Sequence, residues 1–176
     1  QESRGLGDVY KRQVLKRLAE RKARIIAVSL YPMGPATAQA LWTEMVTGTS
    51  HVPTPTLQSP VTFVNLGYVP GQDVGAQFLS TLRFDRVVRT DFNGHSLTSP
   101  ERDAIWQQVS STQNIALIIE LAASWDSVRW WVEQLSVQPH APPLIAGVSM
   151  GVAPLSRPYL SGRRVGDEPQ LSAMVV

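Results

Sequence analysis

R-I-I-A-V-S-L-Y-P-M-G-P-A-T-A-Q-A-L-W, residues Arg24 to Trp42, is the stretch from which the architecture reads. An apolar run, Ile25 to Leu30, stops at a Pro/Gly loop. A helical period then begins near Pro35, with Ala38, Leu41, Trp42, Met45 and Val46 on one stripe. Strand, tight turn and helix in that order open a parallel α/β sheet.

The same grammar recurs along the chain. Val14 to Lys22 reads as an amphipathic helix leading into the first strand. Gly48 to Pro60 is rich in Thr, Ser and Pro, and its prolines forbid regular structure. Val61 to Leu66 is a second strand, closed by Gly67 to Gly71. A helix over Asp73 to Leu82 follows, with Asp73 as its cap and Val74, Phe78, Leu79 and Leu82 inward. Asp91-Phe-Asn-Gly marks a turn. Ser99-Pro100-Glu101 starts a helix that runs to Val109. Ile115 to Leu121 is a third strand, and Ser124 caps a helix to Leu135 with Val128, Trp131, Val132 and Leu135 inward. Leu144 to Ser149 is a fourth strand. Pro154 to Gly162 is a Pro-interrupted helical stretch, and Leu171 to Val176 is the last strand.

The strands are near-continuous apolar runs, the form taken by strands covered on both faces. The expected fold is therefore α/β: an open parallel, doubly wound, Rossmann- or flavodoxin-like sheet of about five strands with helices on both faces. The expected strand order is 2-1-3-4-5. Such sheets bind ligands beyond the carboxyl ends of their strands. Tyr31, Gly67, Glu120 and Ser149 are expected to share that rim.

Composition sets the bounds. The chain has 176 residues, 43% of them hydrophobic, enough for one domain with a real core. It has no cysteine, which excludes disulfides, cysteine nucleophiles and thiolate metal sites. Net charge is only +2, but basic residues crowd the first part of the chain: Lys11, Arg12, Lys16, Arg17, Arg21, Lys22 and Arg24. A solvated helix face accounts for that run, and a patch for nucleic acid or anionic lipid is the other reading. The aromatic interleaving of an RNA surface is missing, so no nucleic-acid partner is expected. No apolar run reaches the roughly 18 residues of a membrane span, and no signal-peptide pattern is present. The chain starts with Gln and ends in apolar L-S-A-M-V-V. Its opening S-R-G-L-G-D-V-Y-K-R-Q resembles translated sequencing-adapter sequence. Residues 1–13 are accordingly expected to be disordered and outside the fold. A single α/β domain is expected over 14–176, truncated at its carboxyl end.

Gly147-Val-Ser149-Met-Gly151 is a literal G-x-S-x-G after a strand. It resembles the nucleophile turn of α/β-hydrolases, where the acid and then the histidine follow the serine in the chain. His51, His95 and His140 all precede Ser149, and no H-G-G-type oxyanion segment appears upstream. Pro32 to Thr37 puts small residues at a helix N-terminus, where an anion or a phosphorylated small molecule could bind. It matches neither G-x-x-x-x-G-K-[ST] nor G-x-G-x-x-G, and Thr37 as a cap explains it equally well. Gly67-Tyr68-Val-Pro-Gly71 offers an aromatic between glycines, or a type II turn with Pro70 second and Gly71 third. Glu120 stands inside an apolar strand, where a lone buried charge is costly. Asp91 and His95 flank an Asn-Gly turn; as a metal pair they lack further ligands, and turn chemistry also accounts for them.

Four segments, V-S-L-Y-P-M-G-P (28–35), F-V-N-L-G-Y-V-P-G (63–71), R-W-W-V-E-Q (129–134) and S-R-P-Y-L-S-G (156–162), resemble a group of uncharacterised bacterial α/β domains carried in longer, membrane-associated proteins. The resemblance covers most of residues 14–176 and carries no catalytic motif. It implies an accessory domain, joined to further domains or a membrane anchor. Together the readings point to a non-catalytic ligand-sensing or interaction domain with no cofactor and no metal. Its expected ligand, a small anionic molecule, is met by Tyr31, Gly34, Thr37, Gly67, Tyr68, Glu120 and Ser149. The alternative is a serine hydrolase through Ser149, or an enzyme holding a phosphorylated small molecule at Gly34–Thr37.

Overall fold

Apolar runs bounded by Gly or Pro become strands, and stretches of helical period become helices. The computed structural model describes residues 2–47, 63–81, 88–97, 115–122, 124–138, 141–160 and 173–175. In order these form α1 (Glu2–Glu20), β1 (Ile25–Ser29), α2 (Gly34–Thr47), β2 (Phe63–Tyr68), α3 (Asp73–Ser80), β3 (Ile118–Ala122), α4 (Trp125–Leu135), β4 (Leu144–Val148), α5 (Ala153–Leu160) and β5 (Ala173–Val175). The loop expected over Gly48–Pro60 and the helix over Ser99–Val109 lie outside the described residues.

The expected single sheet is not what forms. Among the described residues the strands hydrogen-bond in two separate sheets, β1-β2 and β3-β4-β5, all pairs parallel. A five-stranded doubly wound, Rossmann- or flavodoxin-like sheet would need β1 beside β3, as in the order 2-1-3-4-5, and that pairing is absent. The reason is one of range. Each β-α-β step is local and sets its own parallel pair, whereas joining the pairs needs contacts between strands roughly 90 residues apart, which no local pattern encodes. The chain accordingly divides into two compact units, Gln1–Val69 with Thr90–His95, and Pro70–Arg89 with Ser96–Val176.

In the first unit β1, α2 and β2 make one β-α-β step. Leu30, Leu41, Val64, Leu66 and Val69 are buried, and Trp42 of α2 stacks on Phe63 of β2 with ring centroids 4.6 Å apart. Helix α1 packs on α2, with Arg12 paired to Glu44 at 2.8 Å. Residues 2–13, expected to be disordered, are thus helical. The helix closes with Lys22 N–H on the Ala19 carbonyl at 2.9 Å and Ala23 N–H on that of Leu18 at 3.0 Å. This doubly bonded ending places its hinge residue in the left-handed region, normally a glycine. Here it is Lys22, at φ 55°.

In the second unit β3-β4-β5 carries α4 on one face. Val128, Trp131, Val132 and Leu135 of α4 are buried, at the positions expected, with Leu144, Ala146 and Val148 of β4. Helix α3 packs against α4 through a different face than its apolar pattern implies: Gly75, Ala76, Leu79 and Ser80 are buried, while Val74 and Phe78 are 48% and 54% exposed. Small side chains allow the two helices a close approach, and that outweighs the larger residues. Asp73 is the first helical residue rather than the cap, a position held by Gln72.

Two substitutions test this frame. Lys22→Gly relieves a left-handed lysine and raises stability by about 1 kcal/mol in urea unfolding. Asn65→Ala removes an amide buried within β2 and leaves Gly67 N–H without its acceptor, at a loss of about 1–3 kcal/mol in the same assay.

Candidate functional site

The carboxyl end of β1 and β2 is assembled around Asn65. Its side-chain amide donates to the Pro35 carbonyl at 2.8 Å and to Gln39 Oε1 at 3.4 Å. Its Oδ1 accepts from Gly67 N–H at 3.1 Å, and its backbone carbonyl accepts from Phe92 N–H at 2.8 Å. One residue thus joins β2 to the first turn of α2 and to the turn over residues 91–95. Gly67 has φ +84° where the register slips between Ala27↔Asn65 and Ser29↔Tyr68. A bulge of this kind needs a left-handed residue, which glycine supplies.

The loop from β1 into α2 is equally tied down. Ser29 Oγ accepts from Tyr31 N–H at 3.0 Å and donates to the Tyr31 carbonyl at 2.9 Å. Gly34 packs so closely that a Cβ there would run into the Ser29 side chain. Gly34 N–H goes to the Tyr31 carbonyl at 3.1 Å, Pro35 has none, and Thr37 N–H goes to Met33 O at 3.3 Å. Thr37 sits inside the helix rather than capping it, and its hydroxyl also donates to Met33 O at 3.0 Å. Three of the first four positions of α2 therefore offer no N–H to an anion, which weakens the phosphate reading of this turn.

The turn over residues 91–95 is built on Asp91, a buried carboxylate. Its Oδ1 accepts from Asn93 N–H at 3.0 Å and His95 N–H at 2.8 Å, and its Oδ2 meets His95 Nδ1 at 3.2 Å. Among the described residues no group of three metal-ligating side chains forms. Around these internal bonds stand exposed apolar side chains: Tyr31, Met33, Tyr68 and Phe92, with Met33 as much as 75% exposed. Register places Tyr68 opposite Ser29, and the Phe92 backbone lies against Gly67.

Tyr31, Gly34, Thr37, Gly67 and Tyr68 are thus gathered at one edge of the first unit. Glu120 and Ser149 belong to the other sheet, so no single sheet rim carries all the residues expected to share one. Asn65, Met33 and Phe92 escape the sequence reading. Asn65 alone leaves a signal there, an amide inside an otherwise apolar strand.

In the second unit Glu120 of β3 accepts a hydrogen bond from the Ser127 hydroxyl of α4. Burial pushes its carboxyl up from 4.5 to about 7, and the Ser127 bond pulls the other way. Ser149 is exposed and follows β4. Its carbonyl takes Val152 N–H at 2.9 Å and Ala153 N–H at 3.0 Å to start α5. It lacks a left-handed backbone; among the described non-glycine residues only Lys22 and Gln72 have positive φ. The strained elbow that raises a hydrolase serine is therefore not formed. His95 lies in the first unit, and His51 and His140 lie outside the described residues.

Glu120 gives a pH signature. A carboxyl whose folded pKa exceeds its unfolded value favours the fold when protonated, so its contribution is full below about 4.5 and is lost as pH rises through about 7. In urea titrations followed by Trp fluorescence, the wild type should lose stability across that window relative to Glu120→Gln. Parallel pH profiles for the two proteins would refute the assignment.

Among the described residues no helix is long and apolar enough to cross a membrane. Comparison with family models, with curated proteins and with solved structures returned no match.

Proposed function

We propose that the chain is a non-catalytic ligand-sensing or interaction domain of a larger, membrane-associated protein, and that it binds at the carboxyl edge of β1 and β2. The observation that carries this reading is how the polar and apolar groups are divided there. Ser29, Asn65, Thr37 and Asp91 all hydrogen-bond within the edge itself, while Tyr31, Met33, Tyr68 and Phe92 face outward. Catalysis needs polar groups held in place and open to substrate; contact binding needs a rigid frame with aromatic and apolar surface on it. The edge has the second character. A ligand suited to it is flat and largely apolar, with its polar groups at the rim, and no cofactor is part of the reading. The Ser149 alternative gains no support from the backbone at that position.

Saturation-transfer NMR with a set of aromatic fragments tests the proposal. Fragments should bind the wild type in the high-micromolar to millimolar range, roughly 4–6 kcal/mol, and Tyr68→Ser with Phe92→Ser should lose them. A fluorophosphonate probe should leave Ser149 unlabelled. Labelling that disappears in Ser149→Ala would replace this reading with a serine hydrolase.

A further inference from the structure

The sequence K-R-L-A-E-R-K-A-R, Lys16 to Arg24, surrounds the carboxyl end of α1 and the chain leaving it. Arg17 is partnered by Glu20 at 3.3 Å. Lys16, Arg21, Lys22 and Arg24 are exposed, and among the described residues none of these four has an ion-pair partner. Four uncompensated cations therefore lie within nine residues of a chain whose formal net charge is only +2.

Cations at a helix end have an ordinary explanation, since the carbonyl end of the dipole attracts them. That accounts for Arg21, adjacent to the last helical residue. It does not account for Lys16, which precedes the last turn, or for Arg24, well beyond the helix. Lys22 fits it least. It holds the left-handed hinge of the helix ending at φ 55°, where glycine would be unstrained. A charged side chain kept in a strained backbone position is the kind of outlier that points to a role outside folding. The segment also has no aromatic residue to stack on bases and no Asn or Gln to read adenine edges. What remains is charge on long, mobile stems, suited to a diffuse anionic surface.

We propose that Lys16, Arg21, Lys22 and Arg24 form a contact for the anionic headgroups of a membrane surface, a peripheral docking site that orients the unit against lipid. The proposal rests on the membrane association put forward above, but it uses residues separate from the aromatic edge. Loss of fragment binding and loss of lipid binding are therefore independent results.

Co-sedimentation of the whole chain with vesicles provides the test. The chain should bind phosphatidylcholine vesicles containing about one-third phosphatidylglycerol and ignore phosphatidylcholine alone. Raising NaCl from about 0.05 M to about 0.5 M should release it. Lys22→Gly removes a charge while relieving strain, so it should keep or raise the melting temperature yet weaken vesicle binding about fivefold. Arg21→Gln with Arg24→Gln should weaken binding more steeply. Absence of binding at low salt would overturn the proposal, as would binding that is unchanged in both variants. A duplex oligonucleotide that displaces the chain from vesicles at equal phosphate concentration would overturn the lipid assignment in favour of nucleic acid.

Discussion

Asn65 places donors on the first turn of α2, an acceptor on the bulge of β2 and a backbone carbonyl under the turn at residues 91–95. Few side chains could replace it. Leucine would suit the strand but leave Gly67 N–H without its acceptor and take the second donor from the Pro35 carbonyl. Aspartate would accept from Gly67 but could not donate to Pro35, and it would bring a charge into a buried site. The side-chain amide fixes Pro35 and Gly67, and the backbone carbonyl of the same residue holds Phe92. The apolar surface at the edge is therefore held by polar bonds beneath it.

The individual elements were legible because the forces that form them are local. The run Ile25 to Leu30, the stripe of α2 and the inward face of α4 each follow from a period of a few residues. The sheet was not legible. Near-continuous apolar strands signal burial on both sides, but neither their composition nor their spacing says which strand lies alongside which. In β2 the Asn65 carbonyl takes its bond from Phe92, so a turn occupies a group that a further strand could have used. The face of α3 was misread for a related reason. Hydrophobicity favours Val74 and Phe78, whereas helix-to-helix distance favours Gly75, Ala76 and Ser80, and a sequence contains no distances.

The site was partly legible. Glycines and aromatics after strands drew attention to Tyr31, Gly34, Gly67 and Tyr68, which the structure does bring together. The motif reading drew equal attention to Ser149, because G-x-S-x-G fixes residue types and leaves the backbone unspecified. The serine's carbonyl is used to begin α5, an arrangement any small residue there could make. Asn65 was overlooked because one polar residue among five apolar neighbours reads as tolerated rather than required.

The two units solve the same problem with different chemistry. Each joins a strand to a neighbouring helix through a polar side chain: Asn65 of β2 to Pro35 of the preceding α2 in one, Glu120 of β3 to Ser127 of the following α4 in the other. The amide is neutral at every pH, so the contact between β2 and α2 keeps one form as conditions change. The carboxyl of Glu120 titrates near neutrality, and each state has a cost. Protonated, it is suited to burial but makes a weaker bond with a hydroxyl; ionised, it makes the stronger bond and bears the desolvation penalty. The strand-to-helix contact of the second unit is consequently sensitive to its surroundings in a way the first is not. A binding edge that must stay rigid belongs on the amide-built unit, where Tyr31, Tyr68 and Phe92 stand exposed.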